Sequence, residues 1–296
     1  MKLHHLMIPV AAMAAANLAE AAAGQTSATA APVTGYLRTA EGTLSYDDYG
    51  GAGPVVVCVP GMGDLRAQYR FLAPRLAAAG YRVLAMDVRG HGESSVDWKE
   101  WDATAVGGDV LSLMKGLGVE KAHLIGNSFA AGSVYWAAVQ APDRVLSVTL
   151  LGPALHDGKP NPLVNLVLGA GLSGFWGPGF WLAYWDGLFP VQKPEDFASY
   201  RAALRANLAE PGRLAALKKM AFASKAPIEA VLGRAKAPVL LVMGSRDKDF
   251  PDPAAEAEAM GRKTGGRVLV LEAGHYPHVE LPDETARIVL QFLGAR

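Results

Sequence analysis

The chain has 296 residues, 51% apolar and 19% charged, and its 28 basic and 28 acidic side chains cancel. This supports a sizeable core and excludes disorder over most of the length, and without a basic stripe there is no nucleic-acid footprint. The single cysteine, Cys58 in VVVCV, excludes an internal disulfide and reads as a small buried hydrophobe.

Residues 1–33 differ from the rest. Lys2 and the amino terminus give a positive start, LMIPVAAMAAANLA follows, and AEAAAG supplies small residues for a cut near Ala22 or Ala23. The pattern favours export, to the periplasm or medium; an Ala-rich extension of a cytoplasmic chain is the alternative. The run is too short and weakly apolar for stable membrane insertion, and no other segment qualifies.

TLSYDDYG then alternates like an edge strand and stops at Gly50 and Gly51. PVVVCVP (54–60) is a continuous β-branched run, as a strand buried on both faces requires. Leu65 to Ala79 reads as a helix closed by Gly80, and YRVLAMDV (81–88) as a second buried strand. After the loop RGHGESS come a helix (103–117), the strand AHLIGN (122–127), a helix from Ser128 to Gln140 and the strand VLSVTLLG (145–152).

Residues 156–235 hold no good buried strand. They are rich in Gly, Pro and aromatics, then helical around 195–233. Regularity resumes with PVLLVMG (238–244), a helix near 253–264, RVLVLEAG (267–274) and a last helix near 283–293. Alternating strands and helices predict an α/β fold, a mostly parallel sheet covered on both faces, with 34–155 and 236–296 as its core and 156–235 as an inserted, mostly helical cap.

Ser128, in GNSFAAG, sits between a strand and a helix. A helix-capping serine needs neither a glycine two residues before it nor small residues after it. A phosphate loop needs a Gly-Lys-Ser/Thr ending, which is absent. A sharp strand-to-helix turn that lifts a hydroxyl out of the sheet does need small residues at 126 and 130, because the two backbones nearly touch there. A serine hydroxyl also needs a base. Of the seven histidines, His275 and His278 in AGHYPHVELPDE follow the last strand; Asp247, in GSRDKDFP, follows the strand before it. Residues just past strand C-termini gather along one edge of a parallel sheet, so Ser128, Asp247 and His275 are expected to converge there, in one of the known chain orders for this constellation.

Taken with VPGMGD after the first buried strand and DVRGHGESS after the second, these segments resemble the α/β-hydrolase fold superfamily, serine hydrolase type, over residues 34–155 and 236–296. The resemblance implies Ser128 as nucleophile, His275 as general base, Asp247 as its partner, and the backbone N–H groups of Met62 and Phe129 as an oxyanion hole. It implies no cofactor and no metal. Dehalogenases and epoxide hydrolases of this fold use an aspartate nucleophile, against which Ser128 argues. Two positions depart from the pattern: the usual His-Gly after the first buried strand is Pro60-Gly61, and the last glycine of the nucleophile turn is Ala130. Asp249 and Asp157 are rival acids, and His278 is a rival base. Asp87, Arg89, His91 and Gly92 read as loop-fixing residues, and Glu280 and Asp283 as caps of the last helix.

The stretch 171–190 holds seven aromatics, Phe175, Trp176, Phe180, Trp181, Tyr184, Trp185 and Phe189. They serve either as packing between cap and body or as an apolar pocket, with Trp176, Trp181 and Trp185 the pocket candidates. A lid that touches a membrane is a weaker third reading. The function expected is hydrolysis of carboxylic esters of small to medium apolar substrates. Thioester, lactone or carbon–carbon hydrolysis, perhydrolysis, and a slow-turnover binding or signalling module are alternatives.

Overall fold

A computed structural model of the chain describes residues 31–158 and 161–294. Among them eight strands form one sheet: β1 (Val33–Arg38), β2 (Thr43–Asp48), β3 (Val55–Val59), β4 (Arg82–Met86), β5 (Ala122–Asn127), β6 (Val145–Leu151), β7 (Val239–Gly244) and β8 (Arg267–Leu271). Their spatial order is β1-β2-β4-β3-β5-β6-β7-β8. β1–β2 and β2–β4 pair antiparallel, and the remaining neighbours are parallel.

Buried parallel strands cannot alternate apolar with polar, because both faces are covered. Successive residues still point to opposite faces. Val57 and Val59 of β3 join one core with α2 (Ala103–Gly116) and α3 (Phe129–Gln140). Val56 and Cys58 join the other, under α1 (Leu72–Ala78) and α11 (Pro282–Gly294). β4 and β7 divide in the same way.

The chain runs from β3 to β4 on one side, then returns to place β5 on the other side of β3. The loops after β3 and β5 therefore diverge, opening a crevice at the carboxyl ends of those strands. Met62 and Ser128 lie in these two loops.

Between β6 and β7 the chain forms α4 (Pro162–Gly171), α5 (Gly177–Asp186), α6 (Phe197–Ala209), α7 (Arg213–Ala221) and the short α8 (Ala226–Glu229). The Gly- and aromatic-rich part is thus helical as well. Pro162 and Pro178 sit in the first turns of α4 and α5, where a missing N–H costs nothing. After β7 come α9 (Pro253–Thr264) and, past β8, the single turn α10 (Pro277–Glu280) ahead of α11.

Two expectations are revised. The expected helix over 65–79 is a 3₁₀ turn at Arg66–Tyr69 followed by α1. β2 is not the edge strand: β1 covers it, its glycine at position 35 lying under the Tyr46 ring. Residues 1–30 of the expected export leader, with its cut near Ala22, lie outside the described residues, and Val33 already belongs to β1.

Candidate active site

Ser128 links β5 to α3 at φ 53° and ψ −122°; it is the one non-glycine residue with positive φ among those described. Holding an L-residue there costs about 1–3 kcal/mol, and such strain persists only where the surroundings over-determine it. The fixing contacts are visible. The Ser128 N–H donates to Leu151 C=O (2.9 Å), and the Ser128 C=O accepts from Ala131 (3.1 Å) and Ala154 (3.2 Å). A side chain at Gly126 would strike the Ala130 carbonyl, so strand and helix approach as closely as a glycine permits.

Phe129 is the first residue of α3, where an N–H has no partner inside the helix. The Met62 N–H makes no backbone hydrogen bond among the described residues. Its loop is held on both sides. The Gly63 N–H donates to His91 Nε2 (2.9 Å), and the Gly63 C=O accepts from Trp181 Nε1 (3.1 Å). Pro60 stands where the pattern usually has a histidine, and His91 reaches the loop from another segment. Burial pushes the His91 pKa down to about 4, so it stays neutral and accepts this bond.

His275 follows β8. Its Nδ1–H donates to Asp247 Oδ2 at 2.7 Å, and both residues are buried. Asp249 Oδ2 stands farther off, at 3.6 Å from the same nitrogen, on a partly exposed side chain. Burial alone would depress the His275 pKa; the charge of Asp247, then that of Asp249, outweighs it and raises the pKa to about 9. Asp247, Asp249 and His275 also bring ligand atoms within 4.8 Å of one another. The 2.7 Å separation of His275 Nδ1 and Asp247 Oδ2 is that of a hydrogen bond.

The rivals His278 and Asp157 make other contacts. His278 is fully buried against the Tyr69 ring (centroids 5.1 Å apart), and burial pushes its pKa down to about 3. Asp157 accepts from Ser224 Oγ (2.8 Å) and the Lys225 N–H. Asp87 and Arg89 fix loops: Asp87 accepts from Ser45 Oγ and the Arg66 and Glu93 N–H groups, while Arg89 pairs with Asp109 (2.8 Å). Asp283 does lie in the first turn of α11 and pairs with Arg75. Glu280 is not a cap. Fully buried, it accepts from the N–H groups of Gly274 (2.9 Å), Val191 and Gln192 (3.2 Å each), tying the His275 loop to the chain after α5.

A cavity of about 500 Å³ reaches the loop at Met62. Its walls include Val164, Val167, Leu168, Phe180, Trp181 and Tyr184, and none of its lining residues is charged. Of the three tryptophans proposed for a pocket, Trp181 lines this cavity. Trp185 does not: it is buried in the core of the insertion, stacked on Phe197. Trp176 does not either; it is half exposed, with its indole N–H on the Ala170 carbonyl. Trp181 and Tyr184, three residues apart on α5, share a face and line the cavity together, whereas Trp176 precedes that helix.

Sheet order, a strained serine on the turn after β5, and an Asp–His pair past β7 and β8 together match one architecture, and a family profile described as alpha/beta hydrolase fold matches residues 54–177. The chain belongs to the α/β-hydrolase family. The chain is 31% identical over 262 residues to a dihydrolipoyllysine-residue acetyltransferase component of an acetoin-cleaving system from Cupriavidus necator, covering 85% of this chain and 66% of that one. It is 30% identical over 215 residues to epoxide hydrolase B of Mycobacterium tuberculosis, covering 67% of this chain and 59% of that one. It therefore spans about two thirds or less of these curated relatives. A solved hydrolase from Pseudomonas aeruginosa PA01 superposes with a TM-score of 0.72 at 28% identity, covering 88% of this chain and 98% of that one. No helix among the described residues of this α/β-hydrolase is long and apolar enough to cross a membrane.

Asn127, Gln68 and Asp64 escaped the sequence reading. They form a buried polar chain beside Ser128; Asp64 lies in VPGMGD and Asn127 in GNSFAAG, but neither segment shows that Gln68 joins them.

Proposed function

We propose that this α/β-hydrolase cleaves carboxylic esters of small to medium apolar substrates through an acyl-enzyme on Ser128. The observation that carries the reading is the buried 2.7 Å Asp247–His275 pair at the same sheet edge as the strained Ser128. Asp247 holds the imidazole with Nδ1 protonated, leaving Nε2 to take the proton from Ser128 Oγ as it attacks the ester carbonyl. The Met62 and Phe129 N–H groups receive the oxyanion; one such donor is worth about 3 kcal/mol in comparable sites. His275 then protonates the leaving alcohol and activates the water that releases the acid. The uncharged cavity supports a neutral, apolar acyl or alcohol group.

The insertion acts in this reading as a cap that builds the pocket. The epoxide hydrolase named among the relatives does not set the reaction here, because position 128 offers a hydroxyl instead of a carboxylate.

The test is hydrolysis of p-nitrophenyl acetate, butyrate and octanoate by the full chain beside Ser128→Ala, with fluorophosphonate labelling of both. Turnover and labelling that vanish together in Ser128→Ala support the assignment. A folded wild type that neither labels nor turns over sinks it.

A further inference from the structure

Asp64 is a fully buried carboxylate with no part in the reaction just described. Its oxygens accept from the Leu65 N–H (2.9 Å), Gln68 Nε2 (2.7 Å), Trp185 Nε1 (3.4 Å) and the Tyr200 hydroxyl. Trp185 and Tyr200 belong to the insertion, on α5 and α6. Burial raises the Asp64 pKa, and these donors, Tyr200 foremost, work against that rise.

The polarity of this chain of bonds is forced from its far end. Asn127 Nδ2 donates to two carbonyls, Leu151 (2.9 Å) and His275 (3.3 Å). Asn127 Oδ1 must therefore accept, and it does so from Gln68 Nε2 at 3.1 Å. That same Nε2 needs its second acceptor at position 64. An asparagine there offers one acceptor oxygen and two unwanted donors to four N–H or O–H groups, whereas a carboxylate offers two oxygens and no donor.

We propose that Asp64 is a positioning residue through which the insertion sets the oxyanion loop and the nucleophile turn. The proposal rests on the serine hydrolase reading above. Asp64 lies two residues after Met62, and Gly63 between them is pinned by Trp181 of the same insertion. On the other side, Gln68 and Asn127 carry the fixation to the residue before Ser128 and to the His275 backbone. The insertion thereby shapes the transition-state site as well as the pocket.

The experiment compares wild type, Asp64→Asn, Tyr200→Phe and their double variant on p-nitrophenyl butyrate, with fluorophosphonate labelling rates. Displaced donors weaken transition-state binding without altering ground-state contacts in the cavity. In Asp64→Asn, kcat is expected to fall about tenfold or more with KM within about twofold, and labelling to slow in parallel. Tyr200→Phe is expected to lose less, about threefold, and the double variant to be no slower than Asp64→Asn, as for residues in one network. Should Asp64→Asn fail to fold, the same kcat-against-KM split in Tyr200→Phe decides. Variants that keep kcat within about twofold of an active wild type, or that lose only in KM, overturn the proposal. A wild type with neither turnover nor labelling removes the hydrolase reading and this one with it.

Discussion

The Glu280 carboxylate accepts the N–H of Gly274 at 2.9 Å, one residue before His275. The same side chain holds Val191 and Gln192 of the segment after α5, so one buried acid fixes the histidine loop and a foot of the insertion together. Further support comes from the His275 N–H, which donates to the Leu188 carbonyl (3.1 Å).

Glu280→Gln replaces one acceptor oxygen by an N–H₂ facing a backbone N–H. Leaving a buried donor unsatisfied costs about 1–3 kcal/mol. The melting temperature is therefore expected to fall by roughly 2–12 °C, at about 2–4 °C per kcal/mol for a large domain. A thermal melt unchanged from wild type contradicts the anchoring role.

The two acids beside His275 differ in burial and distance, so their substitutions should differ in cost. Asp247→Asn removes the 2.7 Å partner and favours the wrong tautomer; kcat on p-nitrophenyl butyrate is expected to drop by about 10³–10⁴. Asp249→Asn, at 3.6 Å and partly exposed, is expected to stay within about threefold. Equal losses in steady-state kinetics would reverse the assignment of the acid.

The pH profile follows from the same pair. In the proposed mechanism His275 must be neutral to accept the serine proton, and its pKa is raised to about 9. kcat/KM is expected to climb with pH on an alkaline-shifted limb, and Asp247→Asn to move that limb down in pH, since the charge that holds the proton is gone. The linkage has the opposite slope. The folded pKa lies above the unfolded value of about 6.5, so the pair's contribution to stability is complete below that value and is lost as pH rises toward about 9. Rate profiles and melts between pH 6 and 10 check both. An acid limb near 6.5 that Asp247→Asn leaves in place contradicts the electrostatic account.

Val164 lines the cavity yet is half exposed, so Val164→Trp fills space without burying a misfit in the core. The ratio of octanoate to acetate turnover is expected to fall about tenfold, about one methylene's worth of lost pocket. A ratio unchanged by the tryptophan would place the acyl chain elsewhere.

The sheet was legible because its signals are local. Continuous apolar runs marked β3 to β7 almost to the residue, and small residues around Ser128 marked the turn. β1 was not legible: a half-exposed strand interrupted by Gly35 carries little alternation, and its pairing with β2 supplies what its sequence lacks. Residues that touch across the chain were legible only where strand ends announce them.

By itself, then, the sequence determined the order of strands and helices and which residues arrive at the carboxyl edge. Periodicity and turn chemistry act between neighbours in the chain, and both are written there. Only the tertiary structure set Asp247 closer to His275 than Asp249, buried His278 in a stack on Tyr69, turned Glu280 inward, and put Trp181 rather than Trp176 or Trp185 on the cavity wall. Those choices depend on distance and burial between segments tens to hundreds of residues apart, which are set when the helices between β6 and β7 pack against the loops that follow the strands.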